Sequence, residues 1–354
     1  MSHKNIFKVF LSMVFFALVS FLLLTVINDF SKLENNNYQI FSDDEGSIFF
    51  SKIEYSKDVF FCDDFFDIEL EIQNLGHETD SIFLGYSVLS PLNKWIDFPV
   101  KEVSLSKGSN KVTISLKILD FQLKDMVSGP YKAVFSLWDS SPVSEPSNRL
   151  TEFRVNNAFH FYNHIENFDS LDNEIWFSRK GILGRTKLNP DNLEIKDNQL
   201  AIKLPANTFD GGELQSIDMF HYGSYEINMK LPDAPSSITG FFLYKSPDFY
   251  HEIDIEIFNE RDGNILFTTY YNGDAYHETV YQIEFDPTSD FNRYRIDYFP
   301  NEVAFYVNDQ LMERFIDGFS HEPMHLIINT WYPRWLEGLA PSEDKFLLID
   351  WIRY

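Results

Sequence analysis

Glu252-Ile253-Asp254-Ile255-Glu256 sets three carboxylates at every second position, separated by two isoleucines, inside the run His251 to Phe258. In a β-strand, side chains at i, i+2 and i+4 share one face. The isoleucines then enter a core, and Glu252, Asp254 and Glu256 line the opposite surface. Like charges in one row weaken a strand, so a fold that keeps them has a use for them. Two carboxyl groups about 5–5.5 Å apart can split a glycosidic bond with retention, one attacking the anomeric carbon and one handling the proton. On a flat strand the Cα atoms of residues i and i+4 are about 13 Å apart. The chemistry therefore requires a concave sheet on which the long Glu side chains lean together. Crowding must also raise at least one of the three pKa values. Spacing alone leaves open which glutamate does what. It also leaves open a solvated acidic strand or a cation site, although a flat row surrounds an ion poorly.

The elements that must position this row are strands. Tyr225, Ile227 and Met229 alternate with polar residues, as do Tyr294, Ile296 and Tyr298, and then Val303, Phe305 and Val307. Turn pairs such as Asp262-Gly263 and Asn272-Gly273 punctuate them. An all-β sandwich is expected over 158–354. A smaller sandwich, immunoglobulin-like, is expected over 41–156. There Phe66, Ile68, Leu70 and Ile72 alternate with polar residues, Tyr131 to Leu137 follows Gly129-Pro130, and a last strand runs from Leu150 to Val155. Nothing in the first sandwich resembles a catalytic cluster, and its expected role is a spacer.

The chain has 354 residues, enough for two domains, and 17% of them are aromatic. Most aromatics are expected to pack in the sandwiches, and the rest can stack on sugar rings. A net charge of −25 argues against nucleic acid, because phosphate binding needs clustered Lys and Arg. It does not oppose a neutral polysaccharide. Lys4 and Lys8 precede an uncharged apolar run from Val9 to Ile27, long enough to span a bilayer. An uncleaved signal anchor over 1–30 is favoured over a cleaved signal peptide, since no small-x-small site follows the run. A polar tether over 31–40 comes next, and both domains are expected outside the cytoplasm. The single cysteine, Cys62, excludes an intrachain disulfide and is expected to be an inert core thiol.

The segment Tyr250 to Phe258 resembles the signature strand of glycoside hydrolase family 16, in the uninterrupted E-I-D-I-E form of bacterial lichenases (endo-β-1,3-1,4-glucanases) and xyloglucan transglycosylases. The resemblance continues through Gly212 to Ser216, Tyr222 to Lys230, Phe241 to Tyr244, Tyr270 to Gly273, His277-Glu278, Asn329 to Trp331 and Ile349 to Tyr354. It covers about 160 to 354. It implies a concanavalin A-like β-jelly-roll with a cleft across its concave sheet, which would supply the required curvature. It also implies the roles: Glu252 as nucleophile, Asp254 as assisting residue, Glu256 as general acid/base. Carried over position by position, Tyr244, Tyr250, Tyr270, Trp331 and Trp335 match cleft aromatics, and Glu213 and Asn329 match polar sugar contacts. His251 should point to the isoleucine side. No cofactor is implied for catalysis. A structural calcium remote from the cleft is implied, with Asp350 at one ligand position. Gln215 stands where lichenases usually carry Arg, Thr268 where they carry Asn, and Tyr250 where they carry Trp. These departures leave the glucan specificity open. Arg334 adds a positive charge near the cleft, which leaves a charged exopolysaccharide open too.

The resulting expectation is a monomeric retaining endo-β-glucanase acting on β-1,3/1,4-linked polysaccharide. Its alternatives are a transglycosylase that remodels the cell's own surface polysaccharide and a non-catalytic glycan-binding module.

Overall fold

The computed structural model describes residues 38–41, 47–118, 126–143 and 146–354. The expected anchor over 1–30 lies outside the described residues, as does most of the tether. Among the described residues no helix is long and apolar enough to cross a membrane. The chain divides into two compact units, one comprising 1–58, 65–121 and 130–160, the other 59–64, 122–129 and 161–354. The division falls between His160 and Phe161, inside the strand Arg149–Tyr162, later than the expected boundary near 156–158. Apolar alternation simply continues through Phe159 and Phe161, which are buried.

The first unit holds a three-stranded sheet of Ile48–Tyr55, Phe65–Asn74 and Gly108–Lys117, and a second sheet that includes Thr79–Leu89 and Gly129–Trp138. Phe66, Ile68, Leu70 and Ile72 are buried, as are Tyr131, Ala133, Phe135 and Leu137. Phe50 of one sheet meets Phe135 of the other edge-on at 6.2 Å.

The second unit is a jelly-roll sandwich. Its eight-stranded sheet runs in the order 193–196, 199–204, 345–353, 223–230, 292–299, 302–307 and 310–315, with Ile165–Glu166 added against 345–353. Its seven-stranded sheet runs in the order 176–178, 212–220, 324–331, 238–245, 251–258, 264–271 and 274–282. Inward side chains of both sheets form one core, in which Ile253, Ile255 and Ile257 are fully buried with Ile227, Ile296 and Ile349. Phe267 and Phe305, one from each sheet, lie 4.9 Å apart. Burying these chains is worth roughly 1.5–3 kcal/mol each, which fixes the register of the carboxylate strand. A slip of one residue would drive three carboxylates into that core. Cys62 is half-buried rather than a core thiol. It sits in the turn after Val59–Phe61, and its Sγ lies 3.5 Å from the Asn163 carbonyl.

Candidate active site

Register on the seven-stranded sheet assembles the site from segments far apart in sequence. Glu256 pairs with Gly240, Gly240 with Asn329, and Asn329 with Glu213. The next row places Asp254 beside Phe242 and Thr268, with Glu278 beyond Thr268. A third row sets Glu252 between Tyr244 and Tyr270. Directly paired residues on antiparallel strands share a face, so these side chains stand on one surface, opposite the isoleucine core. Bulges interrupt the pairing between Gln215 and Met219 and between Thr269 and Tyr270. Such irregularities bend the strands that carry them, and here they flank the carboxylate strand on both sides.

Gly240 is a glycine for a local reason. A Cβ there would stand 2.8 Å from Asn329 Oδ1. Without it, Asn329 lies across the strand, its Oδ1 accepting from Gly240 N at 3.2 Å while its Nδ2 donates to Glu213 Oε2 at 3.0 Å. Arg179 Nη1 donates to the other oxygen, Glu213 Oε1, at 2.9 Å. Glu213 is only 1% exposed, so its charge is acceptable because both oxygens are satisfied. Arg179 was not foreseen from the sequence. It follows the short edge strand Trp176–Ser178, and only pairing with 212–220 brings it to Glu213.

Among the described residues, no such cation pairs with the three carboxyls of the row. Burial first, then the charge of Glu256, then those of Asp248 and Glu213, push the Glu252 carboxyl up to about 8. Burial, with Glu278 behind it, pushes Glu256 up to about 7. Asp254 is held well above the usual carboxylate range by burial and by the two glutamates. It is 4% exposed, and its Oδ1 has no hydrogen-bond partner among the described residues. The charge of Glu256 acts on Glu252 across the i, i+4 spacing.

The foreseen aromatics divide by exposure. Trp335 is 57% exposed, with its ring 5.8 Å from Phe258 at the Glu256 end of the strand. Tyr250 is exposed at the other end, and its ring lies against Gly273. Phe249, also exposed, sits 5.4 Å from Tyr270. Tyr244 donates to Asp248, and its hydroxyl is pushed up to about 12 by burial and by that carboxylate. Trp331 is half-buried at the end of 324–331. Gln215 is half-buried and lines a groove of about 510 Å³ with Phe177 and Ile217, off the edge of the carboxylate row. Thr268 is buried beside Asp254. Asp248, Glu278 and Phe242 join the site although sequence reasoning did not single them out. His277-Glu278 was a visible signal for one of them.

Three expectations concern residues outside the carboxylate row. His251 turns from the row, and its Nδ1 lies 2.8 Å from Ser320 Oγ. Arg334 is exposed, with Nε donating to the Gly184 carbonyl at 3.1 Å, so its charge is tied to a turn. Asp350 lies on the eight-stranded sheet, where its two oxygens accept from Gln199 at 3.5 Å and Asn228 at 3.1 Å. No group of three or more His, Cys, Asp or Glu gathers to hold a metal ion among the described residues.

Residues 185–353 match the family model "Glycosyl hydrolases family 16". The β-glucanase of Bacillus subtilis (strain 168) is 30% identical over 164 residues, covering 44% of this chain and 68% of that protein. The β-glucanase of Bacillus amyloliquefaciens is 28% identical over 205 residues, 54% of this chain and 86% of that protein. A solved prokaryotic β-1,3-1,4-glucanase (lichenase) derived from a mouse hindgut metagenome superposes with a TM-score of 0.50 at 26% identity, covering 54% of this chain and 97% of that one.

Proposed function

The chain belongs to glycosyl hydrolases family 16 and is a glycoside hydrolase; from that premise we propose that it is a retaining endo-β-glucanase cutting β-1,3/1,4-linked polysaccharide. The observation that carries this reading is the row Glu252–Asp254–Glu256, with Asp254 buried and both glutamates half-buried, without a cation among the described residues, on the face that also presents Glu213 and Asn329. Relatives named β-glucanase and lichenase support the linkage.

In this mechanism the Glu252 carboxylate attacks the anomeric carbon while Glu256 protonates the leaving glycosidic oxygen. A covalent glycosyl-enzyme results. Glu256, now ionised, takes a proton from water, and the water oxygen displaces Glu252. The competent form has Glu252 ionised and Glu256 protonated. With the two carboxyls at about 8 and about 7, the proton resides first on Glu252 in the free enzyme, so the competent form is the less populated of the two singly protonated forms. Asp254, raised well above the usual carboxylate range by burial and by the two glutamates, holds its proton more readily than a free Asp. Tyr244, Tyr250, Tyr270, Trp331 and Trp335 offer ring faces to sugars, and Glu213, Gln215 and Asn329 offer polar contacts. Glu213, Asp248 and Glu278 raise the negative charge around the row, and Arg179 is already paired. The substrate is accordingly a neutral glycan, and an acidic one would be repelled.

Release of reducing ends from β-1,3-1,4-glucan, β-1,3-glucan and an acidic polysaccharide tests the reading. Cleavage of the mixed-linkage glucan with retained anomeric configuration supports it. Binding without turnover on every glucan overturns it, and products longer than the input would mark a transglycosylase. The Lys-flanked run Val9 to Ile27 supports an enzyme held outside the cytoplasm on a membrane anchor, with the first unit as spacer. Fractionation of the chain with and without residues 1–30 checks this.

A further inference from the structure

Thirteen residues, 332–344, join the strand Met324–Trp331 to the strand Lys345–Arg353 without regular structure of their own. Connections of this length inside a compact domain are unusual and commonly functional. This one carries Trp335, the exposed ring beside Phe258 at the Glu256 end of the row. Few of its side chains anchor it. Tyr332 and Pro333 are buried, but Arg334, Trp335, Glu337, Gly338 and Leu339 are exposed.

One guanidinium from elsewhere makes three of the bonds that hold the segment, beside single bonds from Tyr332 N–H to the Thr186 hydroxyl, from the Ser236 hydroxyl to Leu339 O and from the Asn207 N–H to Pro341 O. Arg185 stands in the turn between the short strands Gly181–Leu183 and Thr186–Leu188. Its Nε donates to Pro333 O at 3.0 Å, Nη1 to Gly338 O at 3.1 Å, and Nη2 to Leu336 O at 2.7 Å and Ser236 O at 3.1 Å. Its backbone N–H donates to Tyr332 O at 2.9 Å. The guanidinium also lies 4.5 Å over the Phe209 ring. Arg185 makes no ion pair among the described residues. Its charge is met by carbonyl dipoles and an aromatic face, an arrangement suited to the planar five-donor fork and not to an ammonium. The same turn backs Trp331. A Cβ on Gly184, whose φ is +57°, would stand 2.6 Å from Trp331 Cζ3, so only glycine lets the turn close on that indole.

We infer that Arg185 is a positioning residue for glycan binding: by gripping three carbonyls of the 332–338 segment and one at Ser236, it fixes the Trp331–Trp335 wall of the cleft. This rests on the reading that Trp331 and Trp335 stack on sugar. Arg185 does not reach the carboxylate row, so it should act on KM and leave the chemical step alone.

The test compares the full chain with Arg185→Lys and Trp335→Ala, measuring kcat and KM on mixed-linkage glucan. Arg185→Lys keeps the charge and loses the fork. The expected result is a KM raised about tenfold, with kcat within about threefold of the parent. Trp335→Ala should raise KM similarly. If Trp335→Ala leaves KM at the parental value, the sugar-stacking reading of that ring fails. If Trp335→Ala raises KM and Arg185→Lys does not, the positioning role is overturned. Should Arg185→Lys not fold, Arg334→Ala removes one exposed bond to the same turn. A KM raised about twofold then supports the inference, and an unchanged KM overturns it.

Discussion

The two sheets of the second unit both bury acids, and they treat them in opposite ways. On the eight-stranded sheet, Glu226 is 1% exposed and lies in register between Arg295 and Arg353. Arg353 Nη2 is 2.7 Å from Glu226 Oε2, and Arg295 Nε is 3.0 Å from Asp297 Oδ1. Ser224 donates to the same Asp297 oxygen and Tyr162 to the same Glu226 oxygen. Both buried acids there, Glu226 and Asp297, have a cation and a donor aimed at them. On the seven-stranded sheet, Asp254 is buried and Glu252 and Glu256 are half-buried with no cation among the described residues, although Glu213 three strands away has Arg179. The fold thus supplies arginines where a carboxylate is structural and withholds them where the carboxyl must exchange a proton. Withholding them lifts the pKa values into the neutral range, where acid and base catalysis at neutral pH operate.

The largest expected effect lies in rate. Glu256→Ala should lower kcat by about 10³–10⁴-fold on a substrate with a poor leaving group, because the proton to the leaving oxygen is lost. Initial rates of reducing-end release check this. Next comes stability on the paired sheet. Glu226→Gln strands Arg353 without its carboxylate and should destabilise the unit by about 3–5 kcal/mol, read by denaturant unfolding. Activity per folded molecule should stay at the parental level. If the loss is under about 0.5 kcal/mol, the contrast between the sheets collapses, since that is the usual effect of an ordinary surface change.

The pH dependence sharpens the same contrast. The folded pKa values of Glu252 and Glu256 are raised above the unfolded ones, so the folded state holds the extra protons. Their stabilising contribution is complete below about pH 4.3, the ordinary Glu value, and fades as pH rises through about 7 and 8. Tm should fall between pH 5 and 8, and Glu252→Gln should flatten that slope. A slope unchanged in Glu252→Gln would mean that the row does not carry the protons. A smaller effect is expected at Arg179, whose side chain is 43% exposed. Arg179→Ala should cost about 1–3 kcal/mol, mainly through the buried carboxylate it leaves behind.

Much of this was legible in the chain because it is local. Period-two alternation exposes both faces of the 251–258 strand, and the same pattern marks Phe66 to Ile72. The cross-strand rows were not legible in the residues alone. Asn329 bonds Glu213 across 116 positions, and neither residue's neighbours announce the other. Arg179 and Arg185 stayed hidden for the same reason, since each acts on backbone or carboxylate brought near only by the sheet. Arg334 suggested a positive charge near the cleft, and its exposed guanidinium has one donor, Nε, on the Gly184 carbonyl. Cys62 suggested a core thiol because cysteine is so often buried, yet a turn holds it at half exposure.

The central claim is that the cation-free row gives up stability for chemistry, and Glu252→Gln tests it most directly when kcat and Tm are measured on one preparation at pH 8. Cleavage should be lost while Tm stays level or rises, because a neutral amide replaces a half-buried, unpaired carboxylate. Retained cleavage, or a Tm lowered as Glu226→Gln is expected to lower it, would contradict the account.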